Sequence, residues 1–378
     1  MKKLITIIIT LLIYINCSSM PGGIAENAAS NKGVGDIDLL NVLKEVRKSY
    51  KVPAMAAALI TDRGLQRIAA IGTRKWGTDN PVTINDLWHL GSDTKIMTAT
   101  LVAILVENGK LKWTTTVSEI FPELANTFDP EFRDVNLLQL LSHQAGLPAN
   151  LNYDAISRLI PVRDQRLNAV SMAFKEKPVS APGSTYLYSN TGYIIVGSII
   201  ERVTNMDWET AIIKKIFVPL KMTSAGFGGL GTPGKIDQPW GHQAANKPVV
   251  SNGPDVDNPP VLGPAGRVHC TIQDWTLFIT DQLRGARGQQ GLISPQSYQM
   301  LQSTHFSGDY ALGWLVVNRA WAGGKALAHT GSNTMYFANL WIAPKKNFAM
   351  LVCTNMGLDS FFATDQVLSK IIKIAEAH

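Results

Sequence analysis

The chain has 378 residues, 46% of them apolar and 17% charged, with a net charge of +6. These values describe an ordered globular protein of one large or two ordinary domains and exclude a disordered chain. No basic stripe is interleaved with aromatic residues, so no nucleic-acid partner is expected.

In chain order, the N-terminus reads first as a targeting segment. Lys2 and Lys3 precede an apolar run from Leu4 to Ile15, the layout of a secretory signal and too short for a membrane span. Residues 1–16 are assigned to this signal peptide and residues 17–35 to a tether rich in Gly, Ser, Asn and Ala. Cys17, followed by Ser18 and Ser19, resembles the lipidated cysteine of a bacterial lipoprotein signal, although Tyr14 and Asn16 depart from that pattern. Cleavage further on, for example after Ala25, is the alternative. Both readings export the protein to the periplasm or outer surface, and the first makes Cys17 a membrane anchor.

Asp36 to Tyr50 is an amphipathic helix carrying Leu39, Leu43 and Val46. Two apolar runs, Ala54 to Thr61 and Leu65 to Ile71, flank Asp62-Arg63-Gly64 and predict a hairpin. Turns from Gly72 to Asn85 lead to a helix opening at Ser92, with an apolar stripe through Leu101, Val102 and Leu105. From Lys110 to about Gly229 helical patterns dominate, as in Leu137 to Leu141 and Ile194 to Val203. Gln238 to Pro264 reads as loop, and helices resume at Gln273 to Leu283 and Pro295 to Gln302. Strands return at Gly313 to Arg319, Lys325 to His329, Tyr336 to Ile342 and Phe348 to Thr354, before a helix from Asp365 to Ala375.

The expected fold is α+β. An antiparallel sheet from about residues 36–109 and 310–378 is flanked by the terminal helices, and residues 110–309 form a mostly helical and loop insert. Cys270 and Cys353 are read as free, buried thiols. No metal-ligand spacing occurs among Cys, His and carboxylates, so neither a metal nor a cofactor is expected. A monomer is expected.

Three motifs carry chemistry. In Ser92-Asp93-Thr94-Lys95 the serine and lysine stand three apart, which on a helix places the amine over the hydroxyl. Serine needs a base to take its proton, and lysine serves once burial or nearby positive charge lowers its pKa. Ser92 is the only serine in the chain followed by lysine at that spacing. The alternative is a chance tetrad with Ser92 as an N-cap. In Tyr188-Ser189-Asn190 a phenol able to shuttle protons sits near an amide able to hold a substrate amide; a polar helix start is the alternative. His329-Thr330-Gly331-Ser332 ends a predicted strand, where a glycine admits a ligand and an edge presents N–H groups to an oxyanion. His329 alone would read as a structural histidine.

In this order and spacing the three motifs resemble those of the serine β-lactamase and penicillin-binding-protein superfamily, in its class C β-lactamase-related branch. Further matches span most of the chain. Leu140 to Pro148 is similar to that branch's "LLxHxSGLP", Pro219 to Met222 to "PLGM", and Tyr310 to Trp314 to "YGLGW". The resemblance implies a β-lactamase-related catalytic domain over 36–378 acting on a small-molecule or peptide substrate. It implies Ser92 as acylated nucleophile, with Lys95 and Tyr188 sharing the proton transfers. Asn190 would hold the substrate, the Ser92 and Ser332 N–H groups would form the oxyanion hole, and His329, Thr330 and Gly331 would complete the substrate site. His143 would brace a loop.

Histidine replaces the usual lysine of class C β-lactamases at 329, Asp93 follows the nucleophile, and Arg267 stands where a second glycine is usual. Arg267 reads as a solvated surface arginine, with a substrate-facing cation as the alternative. The expected activity is hydrolysis of a small amide or ester through an acyl-enzyme. β-Lactams, D-alanyl-D-alanine or D-amino-acid peptides, and carboxylesters remain open, as does a penicillin-acylated sensor without turnover. An α/β-hydrolase is disfavoured because no Gly-x-Ser-x-Gly occurs.

Overall fold

The computed structural model describes residues 33–156, 158–249, 253 and 256–376. The expected signal peptide, Cys17 and the tether up to residue 32 lie outside the described residues, which include only 33–35 of the tether.

Among the described residues twelve strands are formed: β1 (Gly33–Gly35), β2 (Ala54–Thr61), β3 (Gly64–Gly72), β4 (Leu87–His89), β5 (Gly226–Phe227), β6 (His242–Ala244), β7 (Lys247–Pro248), β8 (Val268–Thr271), β9 (Leu315–Arg319), β10 (Gly324–Ser332), β11 (Phe337–Ala343) and β12 (Phe348–Thr354). Seven of them make one antiparallel sheet in the order β1-β3-β2-β12-β11-β10-β9. The first and last thirds of the chain therefore meet at the β2–β12 pair. The α+β fold with an antiparallel sheet, expected from the strand pattern, is the one observed.

Alternation along β2 explains how the sheet holds two cores. Met55, Ala57 and Leu59 face one side, where they pack with Leu39, Leu43 and Val46 of the Ile37–Tyr50 helix and with Val367 and Ile371 of the C-terminal helix. Ala54, Ala56, Ala58 and Ile60 face the other side, toward the helical insert. Both faces are covered, so β2 and β12 read as unbroken apolar runs rather than alternating ones. Asp36 starts the first helix by accepting from the backbone N–H groups of Asp38 and Leu39.

Leu87–His89, Val268–Thr271 and Gly226–Phe227 form a second, three-stranded sheet in the order β4-β8-β5. This sheet leads into the Ser92 turn. The stretch expected to be loop, 238–264, contains the small β6–β7 hairpin and a 3₁₀ turn at Pro260–Leu262. Cys270 and Cys353 are free and buried.

The Thr94–Glu107 helix differs from its expected form in two ways. Gly91–Asp93 is a 3₁₀ turn that precedes it, so Ser92 lies just before the α-helix instead of opening it. Its burial is not confined to a stripe, because it passes through the core with Thr94, Lys95, Thr98 and Thr100 as buried as its apolar residues. The three threonines tolerate this because each hydroxyl bonds a backbone group: Thr94 accepts from Val268 N, Thr98 donates to the Pro264 carbonyl, and Thr100 donates to the Ile96 carbonyl.

Candidate active site

The Gly91–Asp93 turn, the start of the Asn190–Thr204 helix and the end of β10 converge on one cleft of about 310 Å³, lined by Ser92, Asn150, Asn190, Ala265 and Ser332 among others. The three elements are packed closely through glycines. A Cβ on Gly331 would overlap the Leu90 carbonyl oxygen and lie 2.7 Å from the Ser92 nitrogen. A Cβ on Gly197 would overlap Pro264, so the bare helix face there lets the Asn190 helix approach the segment before Ala265.

Lys95 is wholly buried. Its Nζ lies 3.1 Å from Ser92 Oγ, 2.7 Å from Asn190 Oδ1 and 2.7 Å from the Ala265 carbonyl oxygen. Burial holds its pKa well below the ordinary lysine value, against a smaller opposing pull from Asp93. A neutral amine has two N–H groups and one lone pair. Two of the three contacts are carbonyl oxygens that only accept, so both N–H groups are used there. The lone pair is left facing the Ser92 hydroxyl. The geometry and the depressed pKa therefore agree on a neutral amine positioned as a base.

The Tyr188 hydroxyl donates to Ser92 Oγ across 2.8 Å. Burial raises its pKa, so it is a phenol at neutral pH and a proton donor. Ser189 caps the Asn190–Thr204 helix, accepting from Gly192 N, and this fixes Tyr188 and Asn190 on either side of the helix start. Asn190 is more tied than the sequence suggests. Its Oδ1 accepts from Lys95 and its Nδ2 donates to Asn150 Oδ1 at 2.9 Å, so it orients the amine and keeps one N–H for a ligand.

Strand β10 lies inside the sheet rather than at its edge, with one qualification. β9 pairs only as far as Ala328, so the segment from His329 to Ser332 is bordered on that side by the Ser92 turn. The local edge expected for the third motif exists because β9 stops short. It brings the Ser332 nitrogen beside the nucleophile turn, where a Cβ on Gly91 would overlap it. Thr330 is half-buried, and its hydroxyl has no hydrogen-bond partner among the described residues.

His329 Nδ1 lies 2.8 Å from Asp93 Oδ1 and its Nε2 lies 3.1 Å from the Tyr310 hydroxyl. Burial pushes the Asp93 carboxyl up, opposed by His329 and then Lys95. Arg267 is not the solvated surface arginine expected. Its side chain is 11% exposed and its Nε donates to the buried Asp257 at 3.2 Å. Asp257 also accepts from Asn333 Nδ2 at 2.8 Å and lies 2.9 Å from His89 Nε2, while His89 Nδ1 accepts from Gly91 N. The arginine is largely withdrawn from solvent because its counter-charge is buried beside it.

His143 braces a loop, as expected, through its Nδ1 accepting from Ser189 N at 3.0 Å. It also packs on the rings of Tyr188 and Tyr310, with centroids 4.4 and 4.7 Å away. Burial depresses its pKa well below the histidine range, so it remains a neutral spacer. Sequence reasoning did not single out Asn150, Asp257 or the Ala265 carbonyl. Among the described residues no group of three or more His, Cys, Asp or Glu is placed to hold a metal ion.

Comparison with known proteins places this geometry. The Beta-lactamase family model matches residues 39–367. "Penicillin-binding protein 4" of Amycolatopsis lactamdurans is 26% identical over 338 residues, 85% of each chain. The chain spans 53% of the length of other curated relatives that it matches. An octameric penicillin-binding protein homologue from Pyrococcus abyssi superposes with a TM-score of 0.72 at 21% identity, covering 89% of this chain and 77% of that one. A class C β-lactamase from Rhodobacter sphaeroides gives 0.70 at 20% identity, covering 89% of this chain and all of that one. The structural likenesses show a shared fold.

Proposed function

The chain belongs to the β-lactamase family, and we propose that it is a serine hydrolase that cleaves a small ester or amide through a Ser92 acyl-enzyme. The observation that carries this reading is the valence of Lys95 Nζ: two carbonyl oxygens take its N–H groups and the lone pair faces Ser92.

The steps follow from the contacts. Ser92 Oγ attacks the substrate carbonyl while its proton passes to Lys95 Nζ. The oxyanion forms beside the backbone N–H groups of Ser92 and Ser332. Tyr188 donates its proton to the leaving group, and the bond to that group breaks to leave the acyl-enzyme. Lys95, now protonated, returns the proton to Tyr188. Water then attacks the ester carbonyl, with its proton taken by the same groups, and Ser92 is released. Asn190 keeps Lys95 aligned throughout, and His329, Thr330 and Gly331 border the substrate.

The test is labelling by a fluorophosphonate together with turnover of nitrocefin, a p-nitrophenyl ester, a D-Ala-D-Ala peptide and a D-amino-acid amide. Wild-type protein should be labelled and should release product from at least one substrate, and Ser92→Ala should do neither. Label that persists at another residue in Ser92→Ala would sink the assignment. A stable mass adduct at Ser92 without product release would point to an acylated sensor instead. We also propose export, with Cys17 as a lipid anchor; metabolic incorporation of a fatty-acid analogue that Cys17→Ala does not abolish would contradict the anchor.

A further inference from the structure

Asp257 takes no part in the proton transfers above, yet its carboxylate is fully buried beside the cleft, and its two oxygens are committed to opposite walls. Oδ2 lies 2.9 Å from His89 Nε2 and accepts from Arg267 Nε at 3.2 Å. Oδ1 accepts from Asn333 Nδ2 at 2.8 Å. The tautomer of His89 follows from its other nitrogen. Nδ1 accepts from Gly91 N at 3.0 Å and so carries no proton. The ring is therefore neutral, with its proton on Nε2 and donated to Asp257. Asn333 is equally constrained. Its Oδ1 accepts from Met335 N and Tyr336 N, which leaves Nδ2 as the group that faces Asp257.

Both arms end next to the reacting serine. Gly91 precedes Ser92, and Asn333 follows Ser332. The two backbones are closely apposed there: a Cβ on Gly91 would lie 2.3 Å from Ser332 N, and one on Gly331 would lie 2.7 Å from Ser92 N. Strand pairing does not set this spacing, because β4, which leads into the Ser92 turn, belongs to the three-stranded sheet and β10 to the seven-stranded one. The Asp257 carboxylate spans the two.

Resting on the hydrolase reading above, we propose that Asp257 is a positioning residue that sets the oxyanion hole. It holds the Ser92 N–H through His89 and Gly91, and the Ser332 N–H through Asn333. Such a hole works because its donors are aimed before charge develops on the substrate oxygen. A carboxylate suits the task because all three of its partners are donors. Asparagine at 257 cannot serve all three: its Nδ2 would face either Asn333 Nδ2, or His89 and Arg267. In the second case His89 could accept at Nε2 only by moving its proton to Nδ1, which would break the bond to Gly91 N.

The test changes the atom that enters the hole. A p-nitrophenyl ester and its thionoester release the same p-nitrophenolate, but the thionoester places the developing charge on a larger sulfur that accepts hydrogen bonds weakly. Asp257→Asn also leaves Arg267 without its counter-charge. Asp257→Asn/Arg267→Gln carries the same loss without that stranded charge, which keeps the test open if the single variant does not fold, and Arg267→Gln is its reference. Wild type and Arg267→Gln should both favour the oxoester in kcat/KM by about a hundredfold. The folded Asp257 variants should lose about 10–100-fold on the oxoester and much less on the thionoester, so that this preference falls by about tenfold. A purely structural role for Asp257 would lower both substrates together. An oxo-to-thiono ratio unmoved in the folded double variant would overturn this inference and leave the hydrolase reading standing. A wild-type protein that cleaves neither ester and is not labelled at Ser92 by a fluorophosphonate would overturn both.

Discussion

Replacing Lys95 by Met tests the central geometry with little change of volume. Methionine fills the wholly buried site but has neither N–H groups nor a lone pair basic enough to act. Asn190 Oδ1 and the Ala265 carbonyl lose donors at 2.7 Å each. An unsatisfied buried acceptor costs about 1–3 kcal/mol. Part of that is offset, because the buried amine carries a desolvation cost that methionine lacks. A net destabilisation of about 1–3 kcal/mol is expected, a lowering of Tm by several degrees. The effect on rate is larger. Loss of a general base costs about 10²–10⁴ in rate, or about 3–5 kcal/mol of barrier. The assay is the acylation rate with a fluorophosphonate from pH 6 to 10, alongside thermal unfolding. Burial lowers the Lys95 pKa, so the active, neutral form is reached below the ordinary lysine range. Wild-type acylation should rise with pH as Lys95 loses its proton and then level off, and Lys95→Met should lack that limb. A folded Lys95→Met that acylates within twofold of wild type, or keeps the same limb, would refute the assignment.

Tyr188→Phe removes the 2.8 Å donor to Ser92 and should slow amide cleavage by about a hundredfold, with a smaller loss for a p-nitrophenyl ester, whose leaving group needs no proton. Equal losses in kcat/KM for both would contradict the role. Gly331→Ala presses a methyl on the Leu90 carbonyl and the Ser92 nitrogen and should cost about 3 kcal/mol; an unchanged urea midpoint would show that the approach of β10 is looser than described. His242 lies buried with Nδ1–H donating to the Asn355 carbonyl at 2.7 Å and Nε2 accepting from Trp76 N at 3.1 Å. Both nitrogens are filled only in the neutral ring, and burial lowers its pKa from 6.5 to about 4. The unfolded chain therefore takes up the proton first as pH falls. The stability due to neutral His242 is complete above pH 6.5 and declines toward pH 4, by about 3 kcal/mol. His242→Gln should flatten that decline in urea titrations, and an identical decline would refute it.

What the sequence disclosed follows from the range of the interactions involved. Ser92 and Lys95 are three residues apart, so their contact is nearly a property of local backbone, and the tetrad was legible. The Tyr188–Ser189–Asn190 cap was legible for the same reason. β2 and β12 were legible as apolar runs, but which of Met55 and Ala56 faces which core depends on the sheet's register. The Ala265 carbonyl was not legible, because a backbone oxygen has no side-chain signature. Asp257 sits in a Pro- and Asn-rich loop and acquires its meaning from His89, 168 residues away. Arg267 was misread because a charge is expected outside unless it is paired, and its partner lies in that same loop.

The wall that supplies the Ala265 carbonyl is itself held from the helical insert. Arg166, on the Val162–Lys175 helix, is fully buried between Glu201 and Glu209. Two negative partners raise its already high pKa, against the penalty of burial. Its guanidinium has donors beyond those the carboxylates take, and these reach the Pro260 carbonyl at 3.1 Å and the Val261 carbonyl at 3.4 Å. The chain from there runs through Leu262 to Ala265 against the Ser92 helix, fastened by Thr98 to Pro264 and by Thr94 to Val268. A planar, five-donor group can join two carboxylates and two carbonyls at once, which a lysine cannot. Removing it would strand the buried Glu201 carboxylate and leave the partly exposed Glu209 unpaired, so its effect on fold would be large. The insert thus does more than cover the sheet. Its buried Arg166 anchors the segment whose Ala265 carbonyl accepts from Lys95, and that carbonyl helps to decide which way the amine's lone pair points.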